Sequence, residues 1–163
     1  MKTLTIVRHA KSSWDDLSLN DHDRPLKNSG IQRTAKVIKY LQSKDFKADF
    51  ILSSSAVRAY ETAKLIAEGI GYKVDNIHKR KSLYHASQDD ILSEVYALDN
   101  SINSVMVFGH NPTLTYFVNE YLSPEISNLP TTGTVSIMFD TLKWEDISTA
   151  KFSISFFVYP RIL

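Results

Sequence analysis

Three short apolar runs constrain this chain more than anything else in it: Leu4-Thr5-Ile6-Val7, Phe50-Ile51-Leu52 and Val105-Met106-Val107-Phe108. Each is too short for a buried helix and rich in β-branched or aromatic residues, so each reads as a buried strand. Helical patterns separate them. Asn28 or Ser29 caps a helix to about Gln42, with Ile31, Ala35, Ile38 and Leu41 on one face. Ser53-Ser54-Ser55 offers caps for a second helix to about Ile70, with Ala59, Ala63, Ile66 and Ala67 apolar and Gly69 and Gly71 as its stop. Val74 to His78 is a weaker strand. Ser87-Gln88-Asp89-Asp90 has the form of a capping box and opens a helix to Leu98. Pro112 suits the first position of a helix to about Leu122. Thr134–Phe139 and Phe152–Tyr159 alternate like an antiparallel strand pair.

This order predicts an α/β three-layer sandwich: a mostly parallel central sheet flanked by helices, with an antiparallel C-terminal strand pair. No repeat, low-complexity stretch or linker interrupts the 163 residues, so residues 1–163 are expected to form a single domain. A hydrophobic share of 43% is enough for a core without covalent staples. The chain has no cysteine, which excludes disulfides, thiolate metal sites and a cysteine nucleophile. Its 19 basic and 18 acidic residues give no global bias toward nucleic acid or an anionic membrane. The first apolar run ends at Arg8, too early for a signal peptide, and no run approaches a membrane span. A cytoplasmic monomer is expected, with no cofactor, no metal, no nucleic acid and no membrane partner.

In a parallel sheet, ligands bind beyond the carboxyl ends of the strands. The residues there are unusual. Arg8 and His9 follow the first strand, Arg58 follows the second within the first helical turn, and His110 follows the Val105–Phe108 strand. A lone arginine or histidine at a strand end is ordinarily just solvated. Two of each from three strand ends form a set with a shared chemistry. Guanidinium forks match phosphate oxygens. A helix N-terminus adds backbone donors. A neutral imidazole is a phosphoryl nucleophile, and its ordinary pKa of about 6.5 permits that form near neutrality.

Four segments carry this set: VRHAKSSW (Val7–Trp14), DRPLKNSG (Asp23–Gly30), SSSAVRAYETA (Ser53–Ala63) and FGHNPTL (Phe108–Leu114). In this order and spacing they resemble the histidine phosphatase superfamily, with its phosphoglycerate mutase-like fold, and more closely the small SixA-like phosphohistidine phosphatases. The resemblance implies that His9 is a nucleophile that becomes transiently phosphorylated. It implies that Arg8 and Arg58 clamp the phosphate and that His110 is the second pocket histidine. Arg24 matches a further arginine near the pocket in the SixA-like branch; a loop-bracing ion pair with an aspartate is the other reading.

The chain departs from the superfamily twice. Ala10 stands where a glycine is common. The insertion after the third strand, which in large branches supplies a carboxylic acid for the leaving group, is missing. The matching stretch is Leu83-Tyr84-His85-Ala86-Ser87, with no carboxylate before Asp89. An alkoxide leaving group needs a strong proton donor, whereas a phosphorylated imidazole has a labile P–N bond and a basic leaving nitrogen. The missing acid therefore favours phosphohistidine, and the compact form implies an open pocket that admits a phosphorylated protein, such as a histidine phosphotransfer domain. The alternatives are a broad-specificity phosphomonoesterase acting on small phosphorylated molecules and, in another class, a non-catalytic phosphate-binding module. A mutase fits less well without the acid-bearing insertion.

Several other residues have two readings. Ser12 contacts phosphate or closes a turn. Asn111 donates to phosphate or caps the following helix. His85 is a proton donor or a surface residue, and Tyr84 is read as packing. One of Asp15, Asp16, Asp21 and Asp23 on the first loop could reach in as an acid. Trp14 is a rim candidate, and a contact from Thr132 or Gly133 is possible. His22, His78 and His85 lack metal-ligand spacing. Gly69-Ile70-Gly71 lacks the rest of a dinucleotide fingerprint, and Lys79-Arg80-Lys81 reads as a solvated turn.

Overall fold

The computed structural model describes residues 1–163 and shows a six-stranded sheet. Its strands are β1 (Lys2–Arg8), β2 (Phe50–Ser54), β3 (His78–Arg80), β4 (Ser104–Gly109), β5 (Thr134–Phe139) and β6 (Phe152–Val158). They lie in the order β3-β2-β4-β1-β5-β6. The first four in that order are parallel, while β5 is antiparallel to both β1 and β6. Four helices cover the sheet: α1 (Asn28–Ser43), α2 (Val57–Ile70), α3 (Gln88–Tyr96) and α4 (Thr113–Asn119). This is the phosphoglycerate mutase-like arrangement expected above.

The layering follows from the period-2 direction of strand side chains. In β4, Val105 and Val107 enter a core with Ile91 and Val95 of α3 and Leu114 and Phe117 of α4. Met106 and Phe108 enter the opposite core with Val37 and Leu41 of α1 and Ala63 and Ile66 of α2. Both faces are buried, which is why the β4 sequence is an unbroken apolar run.

Some elements depart from expectation. Helix α1 buries Gly30, Thr34, Val37 and Leu41, and Ile31 is 42% exposed. The helix is rolled because its first turn lies against the first loop. A Cβ on Gly30 would overlap the Lys11 carbonyl oxygen. Close backbone approach, not apolar periodicity, sets that face. The third strand is later than expected: Val74–Asn76 is a 3-10 turn, and Lys79 and Arg80 lie within β3 rather than in a solvated turn. Helix α2 has no side-chain cap. Helix α4 has seven residues and starts three positions beyond His110, with Pro112 just before it. The capping box of α3 does form: Ser87 Oγ accepts from Asp90 N–H at 3.1 Å, and Asp90 Oδ2 accepts from Ser87 N–H at 2.8 Å. No helix is long and apolar enough to cross a membrane.

Candidate active site

The β1–β4 register pairs Arg8 with Gly109, so His9 and His110 emerge side by side where two parallel strands end. The His9 N–H donates to the Gly109 carbonyl at 3.2 Å, and the two imidazole centroids are 5.2 Å apart. Strand β2 ends on the same edge and hands the chain to α2, which places Arg58 there. The fold thus brings together the four residues from three strand ends.

His9 is 8% exposed. Its Nδ1 lies 2.7 Å from the Ala10 carbonyl oxygen, which can only accept. Nδ1 therefore carries the proton, and Nε2 keeps a free lone pair. Burial lowers the His9 pKa to about 4; the Ala10 hydrogen bond opposes it in part, and the nearby Arg58 and Arg8 charges add to the lowering. His110 is lowered to about 3 by burial and then by its proximity to His9 and Arg58. Both rings are neutral at pH 7. His110 Nε2 lies 2.7 Å from Ser54 Oγ. That oxygen also accepts from the Ala56 N–H at 3.2 Å. His110 Nδ1 is buried without a partner.

The arginines are held by backbone and carboxylate. Arg8 Nη1 donates to the Leu129 carbonyl at 2.9 Å. Arg58 donates from Nη1 to the Asp21 carbonyl at 2.7 Å and from Nη2 to Asp21 Oδ2 at 3.0 Å. The Nε atoms of Arg8 and Arg58 are buried and have no acceptor in the chain. Two buried guanidinium donors, Arg8 Nε and Arg58 Nε, and the ring nitrogen His110 Nδ1 thus stay unpaired where the parallel strands end, although buried polar atoms are normally satisfied. An oxyanion ligand supplies acceptors of the kind they lack.

Asp21 is the hub that sequence reasoning had only as one of four loop aspartates. Its carboxylate accepts from Tyr84 Oη at 2.6 Å, Arg58 Nη2 at 3.0 Å and Arg24 Nε at 3.3 Å. The Tyr84 hydrogen bond, with help from Arg58, holds its pKa at about 2, against a smaller effect of burial. An ionised carboxylate so engaged is not a proton donor near neutrality. Burial and the same hydrogen bond raise the Tyr84 pKa. Tyr84, read from sequence as packing, is therefore a polar strut from the segment after β3 to the first loop. Ser54, read as a helix cap, is the partner of His110. Neither role has a local sequence signal, because each partner is distant in the chain.

The remaining candidates fall into place around this set. Arg24 takes the loop-bracing contact with Asp21, donates to Ser12 Oγ at 3.0 Å and stacks its guanidinium 3.5 Å from the centre of the Trp14 ring. Trp14 is 63% exposed and does not line the cavity beside Arg58 and His110. Ser12 also pairs with Leu26, so the first loop returns on itself as a ribbon. Asn111 caps: its Oδ1 accepts from Thr115 N–H at 3.1 Å, and its amide nitrogen donates to Leu129 O at 2.9 Å and Asn128 Oδ1 at 3.0 Å. Those bonds occupy its donors within the chain. His85, in a left-handed backbone conformation (φ +58°), packs 4.0 Å from the Tyr84 ring. It lines a cavity of about 310 Å³ together with Arg58, His110, Tyr84, Ile91 and Leu114. Ala10 is fully buried with its N–H on Thr62 Oγ1 at 2.9 Å and no left-handed backbone, so the local structure accommodates its methyl group. The seven-residue α4 is too short and too far along to supply the helix-terminus donors expected at His110.

Comparison with known proteins agrees with this arrangement. The family model of the histidine phosphatase superfamily (branch 1) matches residues 4–83. An uncharacterised chloroplast protein of Arabidopsis thaliana is 40% identical over 120 residues, which is 68% of this chain and 54% of that protein. The chain thus spans about half the length of that relative. Among solved structures, a chain from Agrobacterium tumefaciens provisionally named the phosphohistidine phosphatase SixA superposes with a TM-score of 0.82 at 23% identity, covering 98% of each chain. The protein histidine phosphatase SixA complexed with tungstate superposes with a TM-score of 0.81 at 20% identity, again over 98% of each. At such identities the structural likeness speaks for the fold. With the family match and the strand-end residues, it shows that the chain belongs to the histidine phosphatase superfamily and has a SixA-like fold.

Proposed function

We propose that the chain is a metal-independent phosphatase that works through a phosphohistidine intermediate and dephosphorylates phosphohistidine on a protein partner. The observation that carries the reading is the pairing of a neutral, Nδ1-protonated His9 with unpartnered buried donors on Arg8 and Arg58 beside the unpartnered Nδ1 of His110. His9 Nε2 attacks phosphorus as the substrate P–N bond breaks, and the departing imidazole nitrogen takes a proton from solvent. The positive charge left on the His9 ring is eased by its Nδ1–H bond to the Ala10 carbonyl. Arg8, Arg58 and His110 hold the phosphoryl oxygens, so the transition state is stabilised by position and charge. Water then attacks the phosphorus of phospho-His9, and inorganic phosphate leaves.

The choice of phosphohistidine is supported by the lack of a free acid. The carboxylate nearest the arginines, Asp21, is ionised and bonded to Tyr84, Arg58 and Arg24. The test compares phosphate release from a phosphohistidine-bearing protein and from an aryl phosphate ester, with chelator present and His9→Ala beside the wild type. Preferential release from phosphohistidine, lost in the variant, is expected. Preference for the ester would favour the small-molecule phosphomonoesterase, and binding of both without release would favour a phosphate-binding module.

A further inference from the structure

Helix α1 has no acidic residue, yet Arg33, Lys36 and Lys39 recur along it at intervals of three. Like charges at that spacing repel on one helix face and oppose the helix, and no carboxylate in α1 relieves them. Arg33 and Lys36 border a groove of about 320 Å³ whose other walls include Pro130, Thr131, Tyr159 and Arg161. No carboxylate lines it, and none of its three cations forms an ion pair. The chain as a whole has a net charge of only +1, so this is a local concentration rather than a general excess.

Its position ties it to the phosphate site. Thr131 precedes Thr132, whose N–H donates to the His9 carbonyl at 3.2 Å. Thr34, between Arg33 and Lys36, reaches Thr132 Oγ1 at 3.3 Å. The 129–133 segment thus braces Arg8 and His9 while contributing Pro130 and Thr131 to the groove. None of Arg8, His9, Arg24, Arg58 or His110 lines the groove, so its cations are free of the reacting phosphate.

We propose that this groove docks an acidic surface of the phosphorylated protein substrate beside the reaction centre. The identity of the partner rests on the reading of the chain as a protein phosphatase. Charge complementarity selects an acidic occupant, and Tyr159 and Pro130 supply the flat apolar contact typical of protein partners. The cations cluster at one place rather than tracking a phosphate backbone, and the balanced charge of the chain gives nucleic acid no long-range attraction.

Two experiments test the proposal. In the first, a fluorescent glutamate-rich peptide is titrated with wild type and with the triple variant Arg33→Glu, Lys36→Glu, Arg161→Glu, alongside a single-stranded oligonucleotide of equal charge. The peptide is expected to bind wild type, to weaken with salt, and to lose about tenfold or more in affinity in the variant. In the second, KM for an acidic phosphohistidine protein is expected to rise about tenfold with kcat unchanged, while hydrolysis of an aryl phosphate is unaffected. Absence of peptide binding, equal binding by the variant, or preference for the oligonucleotide overturns the docking proposal. The binding assay needs no turnover, so a failure of the phosphohistidine reading would appear separately, as peptide binding without phosphohistidine release.

Discussion

At the scale of single residues, the proposed chemistry rests on imidazoles kept neutral among guanidinium groups. His9 and His110 are expected to stay unprotonated down to about pH 5, because their pKa values are near 4 and 3. Histidine NMR titration checks this directly; a midpoint near 6.5 for either ring would contradict it. The same shift has a stability consequence. The unfolded chain takes up these protons near pH 6.5, but the folded chain only near 4 and below. The contribution is complete above about 6.5 and is lost as pH falls toward 4, a loss of a few kcal/mol. Thermal denaturation should therefore show Tm falling between pH 6.5 and 4, and a flat profile would count against the buried neutral pair. Asp21 offers a second test. Asp21→Asn keeps the shape but weakens the hold on Arg58, Arg24 and Tyr84. Misplacement of a clamp costs on the order of tenfold to a hundredfold in kcat/KM. Unchanged kinetics would remove Asp21 from the positioning of Arg58.

At the scale of elements, the segment from Leu129 to β5 links packing to the candidate site. A Cβ on Gly133 would lie 2.6 Å from the Pro130 carbonyl oxygen and 2.8 Å from Leu129 Cδ1. Leu129 in turn supplies the carbonyl that orients Arg8. Gly133→Ala should cost about 1–3 kcal/mol of stability through overpacking and also lower turnover by the folded enzyme. Denaturant melts and initial rates measure both effects, and a stable, fully active variant would show that the segment yields freely. The same segment marks the limit of what sequence can tell. Strands β1, β2 and β4 are legible because burial on two faces leaves an apolar run, and parallel pairing then puts Arg8, His9, Arg58 and His110 on one edge. The roll of α1 is not legible, because it is set by the approach of Gly30 to Lys11. Edge strand β3 has a single partner and no apolar run to announce it. The roles of Asp21, Ser54 and Tyr84 are not legible either, because single polar residues reveal them only with distant partners in place.

At the scale of the whole molecule, a buried cluster around Trp144 is separated from the candidate site by the length of the sheet. The candidate active site lies beyond the carboxyl ends of β1, β2 and β4. At the opposite end, Lys2 Nζ, at the start of β1, donates to the carbonyls of Asn100 (2.5 Å) and Ile102 (2.8 Å), and Trp144 Nε1 shares the Ile102 carbonyl at 2.8 Å. Trp144 is fully buried in the core that α3 and α4 cover. Trp144→Ala should cost about 3–5 kcal/mol while leaving kcat/KM per folded molecule unchanged. Urea unfolding with parallel kinetics tests that separation; a catalytic loss beyond the unfolded fraction would mean that the two ends are coupled. The central claim, that His9 carries the phosphoryl group, is tested most directly by quenching a turnover reaction in alkali and locating phosphate by mass spectrometry. The account predicts an acid-labile, alkali-stable phosphoryl group on the peptide containing His9 and none in His9→Ala. Phosphate on any other residue, or turnover in His9→Ala at the wild-type rate, would contradict it.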